Sequence, residues 1–79
     1  MVTALRIARI RTGLSLRAFA KNIGIPETTL CKIERGTHYI PPSWRNKLAE
    51  AVGLTVDEIC DKEGLPLPEG VARNEANHG

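Results

Sequence analysis

The chain is poor in aromatic side chains, having only Phe19, Tyr39 and Trp44 among 79 residues. With so few large rings, its core must be built from aliphatic residues and small ones. Cysteine is scarce too: Cys31 and Cys60 are far apart, and neither has a Cys or His at metal-ligand spacing. The expectation is two reduced thiols, with no metal and no cofactor. No segment approaches the roughly 20 consecutive apolar residues that cross a bilayer. The arginines at 6, 9 and 11 interrupt any signal-like apolar start. A cytoplasmic chain with no membrane contact is therefore expected.

Catalytic groupings are missing as well. His38 and His78 lack a neighbouring nucleophile, and Ser15 and Ser43 read better as helix caps. Cys31 falls mid-helix, with Glu27 one turn before and Arg35 one turn after, so no base is spaced to activate it. No glycine-rich loop follows a strand. The expected class is a non-enzyme. A chain of this length holds one domain, and a small one must have a well patterned core.

What is present is charge asymmetry. Residues 1–39 carry seven Lys and Arg against Glu27 and Glu34, whereas residues 61–79 carry two against four acidic residues. A basic front suits a polyanionic partner, although a chance asymmetry of a solvated surface gives the same count.

The periodicity is helical throughout. Residues 3–12 read as a first helix capped by Thr3, with Leu5, Ile7, Ala8 and Ile10 as a broad apolar side, the arginines outside and Gly13 at the end. Ser15 caps a second helix, where Leu16, Phe19, Ala20 and Ile23 form one stripe, stopped by Gly24. Ile25 reads as a buried turn residue. Pro26 suits a helix start, so a third helix begins at or just after it. Its inner positions are Leu30 and Ile33, its outer stripe is Thr28, Lys32 and Arg35, and Gly36 ends it. Such a half-exposed helix is suited to lie in a groove. Residues 37–42 read as a loop. Ser43 is the expected cap of a fourth helix, with Trp44, Leu48, Ala51 and Val52 on one face and Gly53 at its end. Thr-Val-Asp-Glu from Thr55 to Glu58 is a capping-box pattern opening a short fifth helix with Val56, Ile59 and Cys60 inside. The expected boundaries are a domain over 1–62 and a flexible tail over 63–79.

Helix, glycine turn and helix, with the turn at Gly24–Pro26, is the helix-turn-helix order. Residues 9–36 read Arg-Ile-Arg-Thr-Gly-Leu-Ser-Leu-Arg-Ala-Phe-Ala-Lys-Asn-Ile-Gly-Ile-Pro-Glu-Thr-Thr-Leu-Cys-Lys-Ile-Glu-Arg-Gly. This stretch resembles the Xre/Cro/lambda-repressor family, whose pattern is an arginine, Gly-Leu-Ser, an apolar-Ala pair, Gly-apolar, then apolar-x-x-apolar-Glu-x-Gly. Residues 48–59, Leu-Ala-Glu-Ala-Val-Gly-Leu-Thr-Val-Asp-Glu-Ile, are similar to the family's last two helices. The likeness covers about residues 3–60.

The resemblance implies an all-α, compact five-helix lambda-repressor-like DNA-binding domain, with the helix-turn-helix in helices 2 and 3. It implies a sequence-specific transcriptional regulator of double-stranded DNA, a repressor of phage or mobile-element type, acting as a homodimer on a two-fold operator. Base edges would be read by Glu27, Thr28, Thr29 and Lys32, with packing as the other reading of Thr29. Ser15, Arg17, Arg35 and the loop residues Thr37, His38 and Tyr39 would meet the backbone. Arg9 and Glu34 would form a salt bridge, with phosphate contact as the other reading of Arg9. Dimer contacts would come from Val56 and Ile59, or from Leu65–Leu67. Two departures stand out: Leu16 replaces a frequent Gln, and Pro26 replaces a frequent small polar cap. Glu27 is also unfavourable near phosphates unless it finds a cytosine amine. The competing class is an antitoxin or protein-interaction module whose acidic tail, with Leu65, Leu67 and Val71, binds a partner protein.

Overall fold

The computed structural model describes residues 2–69. Five helices occupy them: α1 Ala4–Thr12, α2 Leu16–Ile23, α3 Glu27–Glu34, α4 Pro42–Val52 and α5 Val56–Ile59. No named strand lies among the described residues. Packing pairs α2 with α3, α1 with α4, and α4 with α5 around one core of Leu5, Phe19, Ala20, Ile25, Leu30, Ile33, Ile40, Leu48, Ala49, Ile59 and Cys60. This is the all-helical, lambda-repressor-like arrangement expected.

Local chemistry places the ends of α1 and α2. Thr3 Oγ1 accepts the Arg6 N–H at 3.1 Å, and the Ser15 hydroxyl accepts the Ala18 N–H at 3.1 Å. Each satisfies a donor that the first helical turn leaves unpaired. Gly24 ends α2 at φ +73°, a left-handed conformation that side chains with a Cβ resist. The chain then turns sharply, Ile25 drops into the core and Pro26 opens α3. Small Ala20 is buried between α2 and its neighbours, where a larger side chain would push the helices apart.

Four expectations need correction. Ile10 is exposed rather than part of the inner side of α1. At about 100° per residue it points roughly 140° away from Leu5, and Arg9 takes the inward place instead. Ser43 does not cap α4. The helix already starts at Pro42, with Pro41 before it and no side-chain cap, because a proline's fixed φ suits the first helical position. On α4 the small buried residue beside Leu48 is Ala49; Ala51 is exposed. The loop between α3 and α4 is not merely connecting, since Ile40 is fully buried in the core.

The capping box of α5 is formed: the Thr55 N–H donates to Glu58 Oε1 at 3.0 Å. Beyond it, residues 63–69, placed in the expected tail, lie against the helices. Asp61 Oδ1 accepts from the Glu63 and Leu65 N–H groups, each at 2.9 Å, and turns the chain back. The Leu67 N–H donates to the Ile59 carbonyl at 3.0 Å, and the Ala4 N–H donates to the Leu67 carbonyl at 2.9 Å. Short antiparallel bridges pair Cys60 with Pro66 and Thr3 with Pro68. Gly64 sits at φ +90°, and a Cβ there would fall 2.8 Å from the Ile40 carbonyl oxygen. That glycine lets the Ile40 N–H reach the Gly64 carbonyl at 2.7 Å. Residues 70–79, Val71 included, lie outside the described residues.

Candidate nucleic-acid interface

The outer face of α3 is open to solvent. Leu30, Ile33 and Glu34 point inward, so the helix period leaves Glu27, Thr28, Lys32 and Arg35 exposed. Thr29 and Cys31 are half-buried at the edges of this face. Thr28, Lys32 and Arg35 line up one turn apart. Among the described residues the ion pairs are Arg9 with Glu34 and Arg11 with Glu69. Lys32 and Arg35 therefore carry their charge with no acidic side chain to neutralise it, and so does Arg17 on the first turn of α2.

Ser15 sits beside Arg17. Its hydroxyl oxygen accepts from the Ala18 N–H, which leaves the hydroxyl proton available to an outside acceptor. Thr37 is differently placed. Its hydroxyl donates to the Lys32 carbonyl at 3.1 Å and its N–H to the same oxygen at 3.0 Å. Both donors are used to close the end of α3, so Thr37 offers a shaped turn rather than a free hydroxyl proton. His38 and Tyr39 stack with ring centroids 5.2 Å apart and planes 8° from parallel. His38 Nδ1 lies 2.6 Å from the Tyr39 carbonyl oxygen. A carbonyl only accepts, so in this contact Nδ1 is the donor. Tyr39 is half exposed.

α3 is held at its far end by a partly buried ion pair. Arg9 Nε donates to Glu34 Oε2 at 2.7 Å, and Arg9 Nη1 donates to the Leu14 carbonyl at 2.8 Å. The side chains are only 11% and 5% exposed. Thr3 Oγ1 donates to the Glu34 backbone carbonyl at 2.9 Å. Three contacts thus bind α1, the α1–α2 turn and the end of α3 together, which fixes the angle at which α3 presents its outer face. A short, charge-assisted bond shielded from water holds geometry better than an exposed pair.

A model of the helix-turn-helix domain family matches residues 1–59, most of the described chain. The chain belongs to the helix-turn-helix domain family. No curated protein and no solved structure matches it significantly. The second helix of the helix-turn-helix here is α3, which carries Lys32 and Arg35 with no acidic partner among the described residues.

The residues singled out for dimer contact are not equivalent. Ile59 is fully buried in the core of its own chain and presents no surface to a second copy. Val56 is partly buried and packs on that core. Leu67 is half-buried, and Leu65 is 45% exposed. No group of three or more His, Cys, Asp or Glu able to hold a metal lies among the described residues. No helix among them is long and apolar enough to cross a membrane.

Proposed function

We propose that this helix-turn-helix domain is a sequence-specific, double-stranded DNA-binding transcriptional regulator, a repressor of the Xre/Cro type that reads the major groove with α3. The observation that carries this reading is the exposed Thr28–Lys32–Arg35 stripe, whose two cations have no acidic partner among the described residues. Lys32 donates to guanine O6 or N7, and Glu27 accepts from a cytosine amine. Thr28 touches a thymine methyl or a phosphate, and half-buried Thr29 contributes at the edge. Ser15, Arg17, Arg35 and the loop from Thr37 to Tyr39 set the register on the backbone. The protein acts in the cytoplasm, without catalysis, as a homodimer on half-sites about one helical turn apart. With Ile59 inside the core, the apolar groups left for that contact are Val56, Leu65 and Leu67.

Selection of bound duplexes from a random-sequence pool tests this reading. An enriched motif with two-fold symmetry is expected. A pool that stays random after several rounds contradicts it. A second reading, an antitoxin or interaction module that grips a partner protein through its C-terminal segment, is favoured by the exposure of Leu65. Because residues 66–68 are tied to the helices, a Leu65→Glu substitution is the fair discriminator. Loss of partner binding with DNA binding kept would support it.

A further inference from the structure

A cleft of about 300 Å³ opens where α1, the start of α2 and the end of α3 meet, lined by Arg6, Arg9, Leu16, Cys31, Glu34 and Arg35. Three guanidiniums face one carboxylate there, and that carboxylate is already bound by Arg9. The Arg9–Leu14 and Arg9–Glu34 bonds use only part of the Arg9 donor fork. Arg6 is exposed and no acidic side chain among the described residues pairs with it; the same is true of Arg35. Two unneutralised guanidiniums from different helices thus flank a recess whose floor is a closed ion pair. Nothing in the packing of the fold uses the Arg6 head group. An anion between Arg6 and Arg35 would offset the repulsion of their like charges.

We propose that this cleft receives one phosphate group of the DNA backbone, held between Arg6 and Arg35 over the closed Arg9–Glu34 pair. The inference rests on the DNA-binding reading and adds Arg6, a residue that helical periodicity places on the outside of α1 without giving it a task. A phosphodiester of a duplex is favoured over a free phosphorylated molecule by continuity: Arg35 belongs both to the cleft and to the exposed stripe of α3. Guanidinium matches phosphate with paired donors. A contact of this kind fixes position and carries no base preference.

The test is the salt dependence of duplex binding for the full chain, its Arg6→Gln and Arg6→Lys variants, and Arg11→Gln as the control. Arg11 is exposed and its guanidinium is 4.0 Å from Glu69, away from the cleft. Removing one phosphate contact reduces the slope of log K against log salt by about 0.9. Between 50 and 200 mM salt, Arg6→Gln should therefore lose affinity about threefold less steeply than the wild type. At low salt it should bind several-fold more weakly, equally on cognate and scrambled duplexes. Arg6→Lys should recover most of the slope, and Arg11→Gln should leave it unchanged. Circular dichroism and melting temperature check that Arg6→Gln is folded. A folded Arg6→Gln with the wild-type slope overturns the proposal while leaving the DNA reading intact. A wild type that binds no duplex overturns both. Titration with inorganic phosphate, followed by NMR of the arginine Nε–H groups, separates the sources. Arg6-dependent saturation by phosphate, together with an unchanged duplex slope, would overturn the DNA source in favour of a free phosphorylated ligand.

Discussion

The α2–α3 side of the molecule and the segment from Thr55 to Glu69 treat their polar groups in opposite ways. Along the closing segment they are consumed internally. Glu58 takes the Thr55 N–H, Asp61 takes the Glu63 and Leu65 N–H groups, and the Glu63 carbonyl accepts from Arg45 Nη2 at 3.3 Å. On the α2–α3 side, Arg17, Lys32 and Arg35 reach into solvent without an acidic partner among the described residues. Internal bonds close a fold; charges left open are free to meet a partner or solvent. The Arg9–Glu34 pair stands between these behaviours, spending charge internally to aim a helix whose other charges face out.

Breaking that middle element should have the largest effect. Arg9→Ala leaves the Glu34 carboxylate nearly buried without its cation, and a loss of about 3–5 kcal/mol is expected by urea denaturation. Replacing both partners, Arg9→Met with Glu34→Leu, should recover much of that stability. A core change on the same scale is Phe19→Ala, expected to cost about 3–5 kcal/mol because it empties a fully enclosed site.

The two sides separate next. Lys32→Ala should leave the melting temperature within error yet weaken specific duplex binding by about 1–3 kcal/mol, seen in a binding titration. Asp61→Ala should do the reverse. It removes the acceptor of two backbone N–H groups, costs about 1–2 kcal/mol of stability, and leaves the duplex affinity of the folded fraction unchanged. If Asp61→Ala damaged binding while Lys32→Ala damaged folding, the contrast would be reversed.

The smallest effect concerns Cys60. Burial pushes its thiol above the ordinary value of 9.0, with Arg45 pulling the other way and Asp61 and Asp57 adding to the rise. A raised folded-state value means the folded chain holds the proton more tightly than the unfolded one. Its stabilising share is therefore fully present below the unfolded pKa and is lost as pH rises through the folded value. Denaturation midpoints of wild type and Cys60→Ala should run parallel below about pH 8.5 and converge above it. Parallel curves throughout would remove the thiol from the account.

Much of this architecture was legible because it rests on local rules. Thr3, Ser15, Gly13, Gly24, Gly53 and the Thr55–Glu58 pair each mark a helix end through chemistry within one turn. The α3 stripe follows from its period. What escaped depends on distant partners. Ile40 looks like a loop residue until Gly64 approaches it, and Pro66 is buried only because Asp61 reverses the chain. Ala49 and Ala51 differ by two positions, and only the packing of α4 decides which goes inside. Arg6 and Arg35 are far apart in sequence, so their shared cleft is a tertiary fact. The fate of Thr37 likewise turns on where the end of α3 stops.

The most direct test of the central claim is fluorescence anisotropy with a duplex taken from beside the protein's own gene and a scrambled duplex, at several salt concentrations. The account predicts at least about 10³-fold tighter binding to the first. Equal, weak and steeply salt-dependent binding to both would reduce the interface to phosphate attraction and contradict sequence-specific reading by α3.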